Sequence, residues 1–243
     1  MHRKGTCGNN TYHGLPPGAN GGRCQLILFF LDTETTALDP KDGELLEVGT
    51  LLYDTHSREI IYEASYLLPY RDPRGTAGAI LMNATLLKEC AQSHRNGIDL
   101  DQMKEDIVMQ MLEDIPAYGM DHTYLCGKNI PFDLLWLKKL GSQKLNRLLA
   151  GMPKIDLDEF CRDFSRPRPH SLATVAKALG IEQEQSHRAL DDCKLELTVM
   201  RKLTNDFTFS PVDAFLIKQR LKKTEDHAGG TTVSTEGKEE AKA

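Results

Sequence analysis

At 243 residues, 40% of them apolar and 27% charged, the chain has the make-up of a soluble globular protein with room for one α/β domain and flanking segments. A net charge of -5 argues against a protein that coats long duplexes by neutralising phosphates, though not against one that grips a strand end. The six cysteines show no close-paired spacing, so neither a zinc site nor a disulfide framework is expected.

Residues 1–24 are rich in Gly and Asn and contain Pro16-Pro17, the composition of a disordered leader. Leu26-Ile-Leu-Phe-Phe-Leu31 then reads as a strand buried on both faces, too short to span a bilayer and not preceded by a signal-peptide pattern. A cytoplasmic protein with no membrane partner is the expectation. Asp32-Thr33-Glu34 follows the strand at once. Residues two apart share a strand face, so Asp32 and Glu34 project together. Two carboxylates at the edge of an apolar core lose hydration and repel each other, which a divalent metal between them would relieve. A strand end turning into a solvated acidic loop is the plain alternative.

Ala37 to Gly43 carries the Pro and Gly of a turn. Leu45 to Tyr53 and Arg58 to Leu68 read as an antiparallel meander joined by a turn at Asp54–Ser57. The spacing predicts a loop over Pro69–Gly78 and helices over Leu81–Ala91 and Asp101–Ile115, the second with Ile107, Met111 and Leu112 on one side. Thr123 to Cys126 is a short strand, and Leu134 to Leu140 a helix with Pro131 in the turn that opens it. Asp133 suits a first helical turn, where the macrodipole favours an acid; equally, it suits a metal ligand at the C-terminal end of a strand. Lys154 to Leu157 is the last strand, and Ser171 caps a helix that Gly180 stops.

A long helix runs from about His187 to Leu203, and its phase separates two neighbouring acids. Asp191 falls with Lys194, Thr198 and Lys202 on the solvated arc, whereas Asp192 falls with Leu195, Val199 and Leu203. Asp192 is therefore expected inside, where an unpaired acid is costly without a metal or charged partner. Glu196 leans inward too, with no evident purpose. His187 stands just ahead of the inward Asp192, where an imidazole suits a general base at neutral pH. Pro211 to Lys222 reads as one more helix and Thr224 to Ala243 as a charged tail, so the domain is expected over 25–207 with a helix and disordered tail over 208–243. The strand and helix order is that of an α/β mixed sheet.

Taken together, Asp32-Thr-Glu-Thr-Thr-Ala-Leu-Asp39, Asn129-Ile-Pro-Phe-Asp133 and His187-Arg-Ala-Leu-Asp-Asp192 resemble, in order, the three motifs of the DEDDh 3′–5′ exonucleases, the DnaQ-like group. The resemblance covers residues 26 to 203 and implies an RNase H-like fold, a central mixed β-sheet flanked by helices. It implies that Asp32, Glu34, Asp133 and Asp192 bind two divalent ions, Mg²⁺ or Mn²⁺, and that His187 is the base. It further implies that backbone near Thr35 and the side chain of Leu38 meet the terminal nucleotide, with Asn129 beside it. The implied activity is two-metal hydrolysis of the terminal phosphodiester of single-stranded DNA or RNA, releasing nucleoside 5′-monophosphates from the 3′ end. Two departures stand out: Ala37 replaces the usual Gly, and Lys128 stands where many members have His. Leu38-Asp-Pro40 and Cys126-Gly-Lys-Asn129 also suit an oligoribonuclease of very short RNAs, although Ser171 to Gly180 looks more like the proofreading branch. The rival from another class is a non-catalytic module that binds strand ends or docks a polymerase, or another replication or repair partner. Lys128 and the stiff basic stretch Arg166-Pro-Arg-Pro-His170 are candidate backbone contacts, against idle surface positions. Asp156 either supports the site or caps the helix after it.

Overall fold

Nine residues, Ile27–Thr35, form the central strand β1, so Asp32 and Glu34 lie within the strand and not beyond it. The expected end at Leu31 is overrun because β2 (Leu45–Asp54) pairs antiparallel along the whole length, Asp32 opposite Gly49 and Glu34 opposite Glu47. The computed structural model describes residues 26–117, 119–159, 171–182 and 185–204. The expected leader, the Arg166–His170 stretch and the segment from Pro211 onward lie outside them. β3 (Glu59–Leu67) completes the antiparallel meander. On the other flank β4 (Thr123–Gly127) runs parallel to β1, and β5 (Lys154–Asp156) parallel to β4. The order β3-β2-β1-β4-β5 is the mixed sheet expected of the pattern.

The helices are α1 (Ala77–Met82), α2 (Ala84–Arg95), α3 (Leu100–Ala117), α4 (Ile130–Leu137), α5 (Gln143–Gly151), α6 (Leu172–Ala178) and α7 (Ala189–Leu203). Some of these differ from the sequence reading. The single helix expected from Leu81 is two, α1 starting inside the stretch read as loop. Between them the buried Asn83 donates from Nδ2 to the Thr35 carbonyl at 3.0 Å, a tertiary bond that local spacing does not report. α4 begins at Ile130, four residues early, because the Asp156 carboxylate accepts the N–H groups of Asn129 (2.9 Å) and Ile130 (3.2 Å) that a helix start leaves unpaired. α5 was not expected; Ser142 caps it from Leu145 N–H at 3.2 Å, and Leu145 and Leu149 are buried. Ser171 caps α6 as predicted, receiving Thr174 N–H at 3.1 Å.

Ile27, Phe29 and Leu31 point to one face of the sheet and pack with Ile107, Met111 and Ile115 of α3, Trp136 of α4 and Leu145 of α5. Alternation sends Leu28, Phe30, Asp32 and Glu34 to the opposite face, where α7 packs on β1 and β2. That packing is close: a Cβ on Gly49 would lie 2.3–2.5 Å from the Ala189 carbonyl group and the following nitrogen, so only glycine fits there. The Cys193 thiol also donates to the Gly49 carbonyl at 3.6 Å. Among the described residues no helix is long and apolar enough to cross a membrane.

Candidate active site

Three elements, β1, α4 and α7, bring acids to one edge of the sheet. β1 contributes Asp32 and Glu34 on its α7 face. Thr33, between them, points the other way and donates its hydroxyl to Asp133 Oδ1 at 2.7 Å. That bond anchors Asp133, 3% exposed, in the first turn of α4. α7 brings Asp192, also 3% exposed, while Asp191 is exposed, as the helix phase requires. Gln185 holds Asp192 Oδ2 at 2.8 Å, and Asp192 Oδ1 is buried without a hydrogen-bond partner among the described residues.

His187 is half-buried ahead of α7 with φ of +53°, a left-handed conformation that no helical residue has, so the helix starts at Ala189 and not at His187. One ligand atom each from Glu34, His187 and Asp192 lies within 4.8 Å of the others, a group able to hold a metal ion. Asp32 and Asp133 lie outside that tightest group but act on it through space.

Burial is the main reason these acids resist ionising, and mutual repulsion is the next. It lifts the Asp32 carboxyl well above its usual range, with Asp133, Glu196, Glu34 and Asp192 adding to the effect in that order. Glu34 is pushed up to about 8 by burial, then by Asp192 and Glu47, with Arg188 opposing. Burial raises Asp133 to about 7, against the restraint of the Thr33 hydroxyl. Asp192 is raised by burial, while the Gln185 amide and His187 pull it back. A set of hard oxygen donors beside an imidazole, with a buried carboxylate oxygen that no described residue donates to, fits a divalent cation.

The position of His187 is fixed by its neighbour. Arg188 Nε donates to both oxygens of Glu47 (3.2 and 3.1 Å), and Nη2 to Oε1 at 2.9 Å. Glu47, 1% exposed, also receives Ala189 N–H at 3.0 Å and the Ser65 hydroxyl at 2.6 Å. Arg188 Nη1 reaches Glu89 at 3.2 Å on α2. Sequence reading missed this clamp, along with Thr33 and Gln185. The signal for the clamp was present: Glu47 is the one charged residue between Leu45 and Tyr53, inside a run otherwise suited to a buried strand.

Thr35, Leu38 and Asn129 flank the acids without joining them. The Thr35 hydroxyl donates to the Ala37 carbonyl at 2.9 Å. Leu38 is 84% exposed at the tip of a loop whose base is tied by Thr36 N–H to the Glu44 carbonyl (3.0 Å) and by Lys139 to the Glu44 carboxylate (2.9 Å). Ala37 is buried under that loop. Asn129 is exposed with φ of +65°, its N–H held by Asp156. Asp156 thus caps α4, and its Oδ1 also accepts Asp158 N–H at 2.9 Å. The Lys128 ammonium is paired with Asp158 at 2.8 Å.

A family model described as Exonuclease matches residues 29–200. The DNA polymerase III PolC-type proteins of Thermotoga petrophila and Thermotoga maritima are each 24% identical to the chain, over 206 and 202 residues. Each match takes in 81% of this chain and 13% of the polymerase, so the chain spans only that small share of the curated relatives it matches. Among solved structures, E. coli ExoI in complex with ssDNA superposes with a TM-score of 0.60 at 18% identity, covering 82% of this chain and 45% of that one. The nuclease domain of 3′hExo, described as a DEDDh family member bound to rAMP, gives 0.53 at 17% identity, over 75% of this chain and 94% of that one. The mixed sheet flanked by helices is thus the RNase H-like exonuclease fold, and all three acidic motifs lie inside the matched span. The chain belongs to the exonuclease family.

Proposed function

We propose that the protein is a metal-dependent 3′–5′ exonuclease that trims single-stranded DNA or RNA to nucleoside 5′-monophosphates. The observation that carries this reading is the grouping of Glu34, His187 and Asp192 within 4.8 Å, with Asp192 Oδ1 buried and without a hydrogen-bond partner among the described residues. Asp32, Glu34, Asp133 and Asp192 are the residues that would hold two divalent ions, Mg²⁺ or Mn²⁺. When bound, such a pair lowers the pKa of an attacking water and neutralises charge on the leaving 3′ oxygen. The chain's own residues do the rest. His187, half-buried and set in place by the Arg188–Glu47 clamp, takes the proton from the attacking water. Glu34 orients that water. Leu38 offers an exposed apolar side chain to the terminal base, and Thr35 and Asn129 line the approach.

Single-stranded substrate is supported by the ssDNA complex of the similar E. coli ExoI, and a setting beside a polymerase by the PolC-type relatives. End-labelled DNA and RNA strands of several lengths, with Mn²⁺ or with chelator, test the reading. Mononucleotides should appear from the 3′ end with Mn²⁺ only. Release that is indifferent to chelation would contradict it. Faster turnover of a dinucleotide than of a long strand would instead mark an oligoribonuclease.

A further inference from the structure

The DEDDh pattern leaves one buried acid without a task. Glu196 stands on α7 one turn after Asp192, so both project from the same helix face. It is 1% exposed. Its Oε1 accepts the Lys128 backbone N–H at 2.7 Å, at the junction between β4 and α4. Its Oε2 is buried and has no hydrogen-bond partner among the described residues.

Asp192 is built in the same way. One oxygen is held by a protein donor, Gln185, and the other is buried and left bare. In both acids the anchored oxygen fixes the carboxylate plane, and the free oxygen is presented to the interior. Glu196 Oε2 lies beside Gly127. A Cβ there would lie 3.9 Å from that oxygen and 3.0 Å from the carbonyl of Leu31, the residue just before Asp32. The bare oxygen therefore lies near the end of the β1–β4 pairing, close to the stretch of β1 that carries Asp32. Electrostatics agrees with this placement: the Glu196 charge raises Asp32 more than Glu34 or Asp192 does, and Asp133 is the charge that acts most on Glu196.

A buried carboxylate with an empty oxygen is costly on the apolar stripe of a helix, where leucine would pack without penalty. Among the described residues no cationic side chain is paired with it: the Lys128 ammonium, whose own backbone holds Oε1, is paired with Asp158. We propose that Glu196 is a fifth acid of the cation site, its Oε2 completing the shell of a divalent ion on the β1–β4 side. This rests on the reading that Asp32, Glu34, Asp133 and Asp192 bind divalent ions. It adds a ligand from a position that the three motifs do not include.

The test is a Mn²⁺ titration of the full chain by calorimetry, without substrate, on wild type, Glu196→Gln, Glu196→Asp and Asp32→Asn. Glu196→Gln keeps an acceptor for Lys128 N–H and removes the charge. It should fold as the wild type does by circular dichroism and bind Mn²⁺ on the order of 10–100-fold more weakly. Glu196→Asp keeps the charge but withdraws it by one methylene, and should fall between the two. It also serves as the deciding variant if the glutamine form does not fold. Unchanged affinity and stoichiometry in the folded Glu196 variants, with binding lost in Asp32→Asn, would overturn the role of Glu196 alone. If wild type binds no Mn²⁺, or Asp32→Asn binds it as wild type does, the four-acid cation site fails and this inference goes with it.

Discussion

Glu47 and Glu196 are equally buried, at 1% exposure each, yet the chain treats them in opposite ways. Around Glu47 it supplies a guanidinium, a backbone N–H and a serine hydroxyl, so that both carboxylate oxygens are occupied. Around Glu196 and Asp192 the described residues hold one oxygen of each carboxylate and leave the other without a partner. A buried charge persists in a fold only when something compensates it. Between β2 and α7 the compensation is internal, and it serves to position His187. At the β1–β4 edge it is missing among the described residues, as expected of a site for an external cation.

The sharpest way to break this contrast is to remove acids from the uncompensated side. Asp32→Asn and Asp192→Asn should each abolish release of mononucleotides from an end-labelled strand, while leaving the fold intact by circular dichroism. Near-normal activity in either would mean that these acids are not the metal's ligands. Next in size, His187→Ala should slow release by on the order of 10²–10⁴ with metal saturating, because a general base is lost and the ligands remain.

On the compensated side the expected loss is of stability. Arg188→Ala leaves Glu47 buried with only the Ser65 hydroxyl and Ala189 N–H. It should lower the unfolding free energy by about 2–3 kcal/mol in urea, less than for a fully buried pair because Arg188 is partly exposed. Urea curves that superpose with wild type would show the clamp to be ornamental.

How much of this the sequence carried depended on the range of the interaction. Alternation along Leu26–Glu34 put Asp32 and Glu34 on one face, and helix phase chose Asp192 over Asp191; both are periodicities of a few residues. The break at Asn83 was not legible, because its cause is a bond to Thr35, 48 positions away. The early start of α4 depends on Asp156, and the clamp joins Glu47 to Arg188 across 141 positions. Glu47 announced itself as a charge inside an apolar run, but nothing local named its partner. The helix phase likewise turned Glu196 inward without showing what it would face.

A smaller effect separates the two regions by pH. Glu34 rises from its ordinary 4.5 to about 8, and Asp133 from 3.8 to about 7, both chiefly through burial. Acids raised in the folded state favour folding fully below their ordinary values, and that contribution is lost as pH climbs through the raised ones. Without divalent metal, thermal stability should therefore fall between about pH 4.5 and pH 8, and Mn²⁺ should restore most of the loss at the upper end. A flat profile, unchanged by Mn²⁺, would place the two regions in the same class.

The most direct measurement is a crystal structure grown with Mn²⁺ and read by anomalous scattering. Two peaks among Asp32, Glu34, Asp133 and Asp192, one of them within reach of Glu196 Oε2, are the predicted result. No anomalous density at the β1–β4 edge in a protein saturated with Mn²⁺ would contradict the account.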